Sequence, residues 1–140
     1  LGYEGLKQAA ADAVLAANYL QTLLKQDYNL PYDCHCMHEF VLSGLKDNPA
    51  GVRTMDLAKS LLDYGIHPPT VYFPLIVAEA LMIEPTESVT LDLLDAFVAI
   101  MKDLAARAKT TPEQLKKAPY TTPVRRLNEA EAARHPVLRW

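Results

Sequence analysis

Glycine is scarce in this sequence: only five of its 140 residues are glycine, and no glycine-rich phosphate-binding pattern occurs. The two absent patterns are G-x-x-x-x-G-K and G-x-G-x-x-G, whose glycines let backbone amides surround a phosphate at the start of a helix. The chain therefore has little means of holding a phosphate with its own backbone.

Cysteine is rarer still, and its two copies, Cys34 and Cys36, are one residue apart. Side chains at that spacing rarely meet the geometry of a disulfide bond. A reduced, cytoplasmic setting is therefore the simpler expectation. No apolar run reaches the roughly 18 residues that a membrane-spanning helix needs, and no basic segment followed by an apolar run opens the chain as a signal peptide would. The chain also starts without methionine, as a fragment or a processed product would.

Positive charge is not in excess. The chain has 14 lysines and arginines against 17 aspartates and glutamates, for a formal net charge of −3. A dedicated nucleic-acid binder usually carries a basic excess, so we expect neither a nucleic-acid nor a membrane partner. Half of the residues are hydrophobic and 22% are charged, which is the ordinary mix of a globular protein. The length favours a single domain over residues 1–140.

Helical spacing of apolar residues is the strongest pattern. It predicts a long first helix over residues 4–25 and a third helix that begins after Ser88 or Thr90. Between them, Thr54 is a plausible cap for a second helix, which Gly65 should end. A short fourth helix should open at residues 111–113, where a threonine, a proline and a glutamate follow one another.

Three strands are predicted between and after these helices. Residues 34–42 alternate, residues 70–73 are β-branched or aromatic, and residues 80–83 are apolar up to Glu84 and Pro85. Pro74 suggests that the second strand lies at an edge or ends there. The expected fold is α+β, with a small, mostly antiparallel sheet of about three strands covered by helices.

The most conspicuous cluster of reactive side chains is residues 34–38. On a strand, Cys34, Cys36 and His38 would share a face and could converge on a metal ion. Structural zinc sites, however, use paired ligands two to four residues apart on turns, so two buried thiols are the favoured interpretation. A cysteine nucleophile would need a neighbouring base, and alternation places His35 on the opposite face. His38-Glu39 and His67 are acid–base candidates only in principle.

A basic pair, Arg125-Arg126, follows a proline-containing segment near the end of the chain. Arginine offers the two-pronged donor geometry that binds a carboxylate or a phosphate. An inter-domain salt bridge or a solvated basic turn is the favoured alternative. Residues 120–140 are too apolar to be a disordered tail, and Asn128 with Glu131 could open a short helix there.

Several segments together resemble the P-protein family, the glycine dehydrogenases (decarboxylating) of the glycine cleavage system. In the family's order, they are residues 17–20 (ANYL), 36–43 (CMHEFVLS), 51–56 (GVRTMD), 64–75 (YGIHPPTVYFPL), 81–87 (LMIEPTE) and 121–127 (TTPVRRL). Each segment alone is weak, but the ordered set is specific and spans nearly the whole chain. The ending at Trp140 is similar to that of the separate second subunit in a split P-protein.

The resemblance implies a fold type I enzyme in which a large domain binds pyridoxal phosphate (PLP) and this chain is the small C-terminal domain. Residues 1–25 would lead out of the large domain, and residues 119–140 would form a tail packed on the parent enzyme. The lysine that binds PLP would lie in the missing large domain, so the fragment alone is expected to be inactive.

The family decarboxylates glycine through a PLP aldimine and transfers the aminomethyl group to the lipoyl group of the H-protein. The implied partners are the PLP-bearing large domain, the other P-protein subunit and the lipoylated H-protein, with glycine as substrate. No catalytic residue carries over to this chain, and no metal site is expected. Arg125 and Arg126 are candidates for the substrate entrance, with His67 second, because small domains of related folds often contribute an arginine for the substrate carboxylate.

Two other classes of function stay open. One is a stand-alone α+β binding or interaction module, and the other is a small domain that binds metal through its cysteine–histidine segment. As an isolated piece of a larger enzyme, the chain should expose apolar surface and self-associate.

Overall fold

The computed structural model describes residues 1–139. Within that range, five helices and three strands form an α+β domain, as predicted. In chain order they are α1 (Gly2–Leu24), β1 (Phe40–Ser43), α2 (Thr54–Leu62), β2 (Thr70–Val71), β3 (Ala80–Ile83), α3 (Leu91–Thr110), α4 (Pro112–Lys117) and α5 (Glu129–Arg134). Of residues 1–139, no helix is both long enough and apolar enough to cross a membrane.

The sheet is antiparallel, with the strand order β1-β3-β2. Phe40 pairs with Ile83 and Leu42 pairs with Leu81, and all four side chains are buried in the core. Val41 and Met82 pair on the other face and are half-buried. One face of the sheet therefore carries the core, because alternate residues of a strand point to opposite sides.

Helices α1 and α3 complete the core. Burial in α1 begins at Ala16, the two helices are in contact, and Ala17 of α1 and Ala108 of α3 are fully buried. The hydroxyl of buried Tyr28 donates to the carbonyl of Met101 at 2.8 Å. The first 14 residues of α1, residues 2–15, are by contrast exposed or half-buried. More than half of this helix therefore contributes no fully buried side chain to the core of the described residues.

The strand predicted over residues 34–42 is wrong over residues 34–39, which form bends and irregular backbone. The side chain of Asn18 accounts for the difference. Its Nδ2 donates to the carbonyl of Cys36 at 2.7 Å, and its Oδ1 accepts the Cys36 amide at 3.1 Å. Cys36 thus bonds to α1 and has no ladder partner in the sheet.

The predicted strand over residues 70–73 is shorter than expected, because Tyr72 adopts a φ of 58° and breaks the extended run after Val71. Such a conformation is uncommon for a bulky residue. β2 lies at an edge, as Pro74 indicated.

The predicted helix ends are mostly confirmed. Thr90 rather than Ser88 caps α3, where its hydroxyl accepts the Leu93 amide at 3.4 Å. Gly65 ends α2 with a φ of 72°, a conformation that glycine adopts without steric cost. Thr54 is the first residue of α2 and not its cap; the cap position is Arg53, whose amide bonds to the Asp56 carboxylate at 2.8 Å.

Candidate functional site

An apolar groove of about 610 Å³ lies between α3, the end of β3 and the segment that joins α2 to β2. Most of its lining is hydrophobic, with Leu93, Leu94, Phe97 and Ile100 from α3 and Met82 and Ile83 from β3. Within the described part of the chain, neither lysine nor arginine lines this groove. The groove therefore suits an apolar group rather than an anion.

His67 lies on the rim of the groove, in the segment after α2, and its side chain is exposed. Glu84 also lines the groove and is exposed, and one of its carboxylate oxygens is 3.9 Å from Nε2 of His38. Both members of that pair are more than half exposed. Solvent therefore weakens their interaction, and these charges contribute little to the binding of a charged ligand at the edge of the groove.

The guanidinium of Arg126 binds groups within the domain. Its Nη2 lies 2.8 Å from Oδ1 of Asp56, a carboxylate that is only 13% exposed. The guanidinium also donates to the backbone carbonyls of Ala118 and Leu115. The favoured interpretation of this basic pair, an inter-domain salt bridge or a solvated turn, is therefore wrong for Arg126, whose salt bridge lies within the domain.

Arg125 is exposed and makes fewer contacts. Its Nη1 donates to the carbonyl of Pro119 at 3.1 Å, and its guanidinium carbon lies 5.1 Å from the centre of the Tyr120 ring. The stacking holds the side chain over the ring by a cation–π attraction. Arg125 is therefore positioned but still accessible to a ligand.

A second carboxylate fixes the segment that carries both arginines. Asp63 Oδ1 accepts the amides of Tyr120 and Thr121 at 2.6 and 2.7 Å and the Thr121 hydroxyl at 3.0 Å. Partial burial raises the pKa of Asp63, but these hydrogen bonds and the charge of Arg125 outweigh burial and lower it. We call Asp56, Asp63, Thr121 and Arg126 the tail anchor, because together they hold the tail against both ends of α2.

The three residues predicted for the substrate entrance are divided between the groove and the tail. His67 lines the apolar groove, whereas neither Arg125 nor Arg126 is among its lining residues. The sequence analysis missed Asp63, which carries no local signal. Asp56 had the signal of an acidic residue in a first helical turn, but its partner lies 70 residues away.

The cysteine–histidine segment does not form the cluster that a strand would create. Cys34 is exposed and Cys36 half-buried, and both are free thiols. Burial raises the pKa of the Cys36 thiol, which is the opposite of what a nucleophile requires. Across residues 1–139, no three histidine, cysteine or acidic side chains come close enough together to hold a metal ion.

Comparison with known proteins identifies the relatives of this domain. A family model described as glycine dehydrogenase, C-terminal domain, matches residues 9–124. The chain belongs to this family. The match covers every strand and the first four helices, apart from the opening turns of α1, and it includes Asp56, Asp63 and Thr121 of the tail anchor but ends before Arg126.

Individual members of the glycine dehydrogenase family match over all 140 residues. Proteins called probable glycine dehydrogenase (decarboxylating) subunit 2 are 59% identical in Caldanaerobacter subterraneus subsp. tengcongensis, 54% in Bacillus velezensis and 53% in Bacillus licheniformis. The match covers 100% of this chain but only 28–29% of each relative. The chain thus spans less than a third of the length of the curated relatives it matches.

Proposed function

We propose that this chain is the C-terminal small domain of a glycine dehydrogenase subunit 2, a part of the P-protein of the glycine cleavage system. The observation that carries the proposal is a match along the whole chain, at 59% identity, to less than a third of a relative with that name. The complete subunit would release the carboxyl group of glycine as carbon dioxide and pass the remaining aminomethyl group to the lipoyl group of the H-protein. The complete subunit would be located in the cytoplasm.

The cofactor would be PLP, which supplies an electron sink for loss of the carboxylate when bound. The groove of this domain does not fit that group, because no lysine or arginine of the described residues lines it for the aldehyde or the phosphate. We propose that the rest of the subunit binds PLP, and that the other P-protein subunit and the H-protein assemble around that part. This chain would then be inactive alone.

The role of this domain would be to flank the entrance of the active site. Arg125 is the stronger candidate of the basic pair, because its guanidinium is exposed whereas that of Arg126 is used by Asp56 and two carbonyls. The Arg125 guanidinium would bind the carboxylate of glycine through two parallel hydrogen bonds. His67, exposed on the groove rim, remains a second candidate.

The test uses a subunit of the relatives' length that ends in this chain, supplied with PLP, the other subunit and lipoylated H-protein. We expect carbon dioxide from carboxyl-labelled glycine in this mixture and none from the chain alone. Replacing Arg125 by Ala should raise KM for glycine, while Arg134→Ala, a change at another tail arginine, should leave KM unchanged. Decarboxylation by the chain alone, or none by the complete mixture, would contradict the proposal.

A further inference from the structure

The connection between β2 and β3, residues 72–79, is unusually apolar for an exposed loop. Four large side chains in five positions are exposed: Tyr72 at 38%, Phe73 at 54%, Leu75 at 89% and Ile76 at 83%. No charged residue occurs from position 68 to position 78, although 22% of the chain is charged. Single exposed apolar residues are ordinary, but such a cluster marks an interaction surface.

The loop is held in place at its base. Tyr72 and Glu79 both adopt left-handed backbone conformations, with φ values of 58° and 51°. The Glu79 carboxylate accepts the Thr54 amide at 2.7 Å, and the Thr54 hydroxyl donates to the Glu79 carbonyl at 2.7 Å. On the other side, the Ser43 hydroxyl donates to the carbonyl of Ala78 at 2.7 Å. These bonds fix the Ala78–Glu79 end of the loop to α2 and β1, and at the other end the Tyr72 amide donates to the Ala80 carbonyl of β3 at 2.8 Å.

Because its ends are fixed, the β2–β3 loop is ordered before it binds a partner surface. Val77 turns inward and is 7% exposed, so the loop is packed from below while Leu75 and Ile76 point outward. Strained backbone persists only where the surrounding structure determines it. A surface that is already ordered loses little conformational freedom when another surface covers it.

We propose that the β2–β3 loop docks on the part of the subunit that precedes this chain, the part to which we assign PLP. This inference rests on the proposed function. The relatives are more than three times as long as the chain, which covers 29% of the first of them. A covalently linked neighbour is present at high effective concentration. The H-protein would exchange in every turnover, whereas permanently covered interfaces are the more hydrophobic class.

The experiment measures side-chain oxidation by hydroxyl radicals in the joined subunit, with mass spectrometry to locate the modified residues. Leu91 is an internal control, since it is 59% exposed and lies at the start of α3. We expect Leu75 and Ile76 to be modified several-fold more slowly than Leu91, although they are more exposed in this chain. Equal or faster modification would overturn the proposal.

Two further outcomes would also overturn it. If protection appears only after the other subunit or the H-protein is added, that partner covers the loop. If protection falls on dilution of the joined subunit, a second copy covers it. The measurement does not depend on catalysis. An active subunit with an exposed loop would refute this inference alone, and an inactive subunit with a protected loop would refute the proposed function alone.

A matched pair of variants supplies a second measurement. Ile76→Asp places an unpaired charge in the proposed interface, whereas Leu91→Asp places the same charge at the start of a helix. Proteolytic cleavage between the two parts of the subunit should become about tenfold faster with Ile76→Asp, because a burial penalty of roughly 1.4 kcal/mol corresponds to that factor. Leu91→Asp should leave the rate unchanged. Equal rates in the two variants would contradict the assignment.

Discussion

Adjacent arginines near the end of the chain have different surroundings, although the sequence presents them as a pair. Arg126 reaches a carboxylate that is 13% exposed, whereas Arg125 stacks on a ring at the surface. The sequence indicated that the pair would bind an anion or form a salt bridge, but it could not show which residue does which. That distinction depends on contacts with Asp56, which lies 70 residues earlier.

The difference between the two arginines predicts a difference in stability. Replacing Arg126 by Ala leaves Asp56 charged, nearly buried and without its partner, so unfolding free energy should fall by about 2 kcal/mol, less than for a fully buried pair. Arg125→Ala removes a surface cation–π contact and a hydrogen bond to the Pro119 carbonyl, and should cost less, about 1 kcal/mol. Urea unfolding of both variants measures the difference. Equal losses would contradict the structural role of Arg126.

Asp63 gives the tail anchor a dependence on pH. Its pKa in the folded chain is lowered, so the ionised form binds the tail and stabilises the fold above the ordinary aspartate pKa of about 3.9. This contribution is lost as the pH falls from that value through the lower folded pKa. We expect Asp63→Asn to be less stable than the parent at neutral pH, with the gap narrowing below about pH 4. Thermal unfolding across that range checks it, and a constant gap would contradict it.

At the scale of elements, local spacing of residues in the sequence predicted helices and strands correctly where their own residues form the buried face. The sequence did not reveal contacts between residues that are far apart in the chain. The periodicity of α3 and the β3 run at residues 80–83 predicted those elements because their own residues form the buried face. The alternation over residues 34–42 was misleading in its first six positions. There, Asn18 supplies the hydrogen bonds that a neighbouring strand would have supplied. The side chain of a residue 18 positions away leaves no trace in a local pattern.

The role of Asn18 can be tested directly. Asn18→Ala leaves the amide and carbonyl of Cys36 without their partner, which should cost about 1 kcal/mol and accelerate exchange of the Cys36 amide hydrogen. Gln8→Ala is the control, because Gln8 bonds only to Asp12 on the exposed part of the same helix. Hydrogen exchange followed by NMR measures both variants. Unchanged exchange at Cys36 in Asn18→Ala would show that another contact holds this segment.

At the scale of the whole molecule, the sequence identified an α+β domain and its family, but it did not identify the apolar β2–β3 loop. Each residue of that loop reads as an ordinary strand or core residue. In the structure, Leu75 and Ile76 lie at the surface in a loop bounded by left-handed residues, Tyr72 and Glu79. The candidate residues of the site were separated for the same reason, since their distances depend on how the elements pack.

The exposed apolar surface predicts the behaviour of the chain alone in solution. We expect it to self-associate as its concentration rises, because separated copies leave the β2–β3 loop facing water. Ile76→Asp should weaken this association, whereas Leu91→Asp should affect it less. Sedimentation velocity over a range of concentrations measures the effect. A monomer at every concentration would contradict the expectation.

The stability of the first turns of α1, residues 2–15, should depend on whether a neighbouring domain covers them. Fourteen helical residues extend over about 21 Å, yet a helix of this length is only marginally stable in water without a packing surface. Those first turns should therefore fray when the domain stands alone and become ordered when a neighbouring domain covers them. Amide exchange along residues 2–15 would thus report whether this end of the helix is occupied, independently of any catalytic assay.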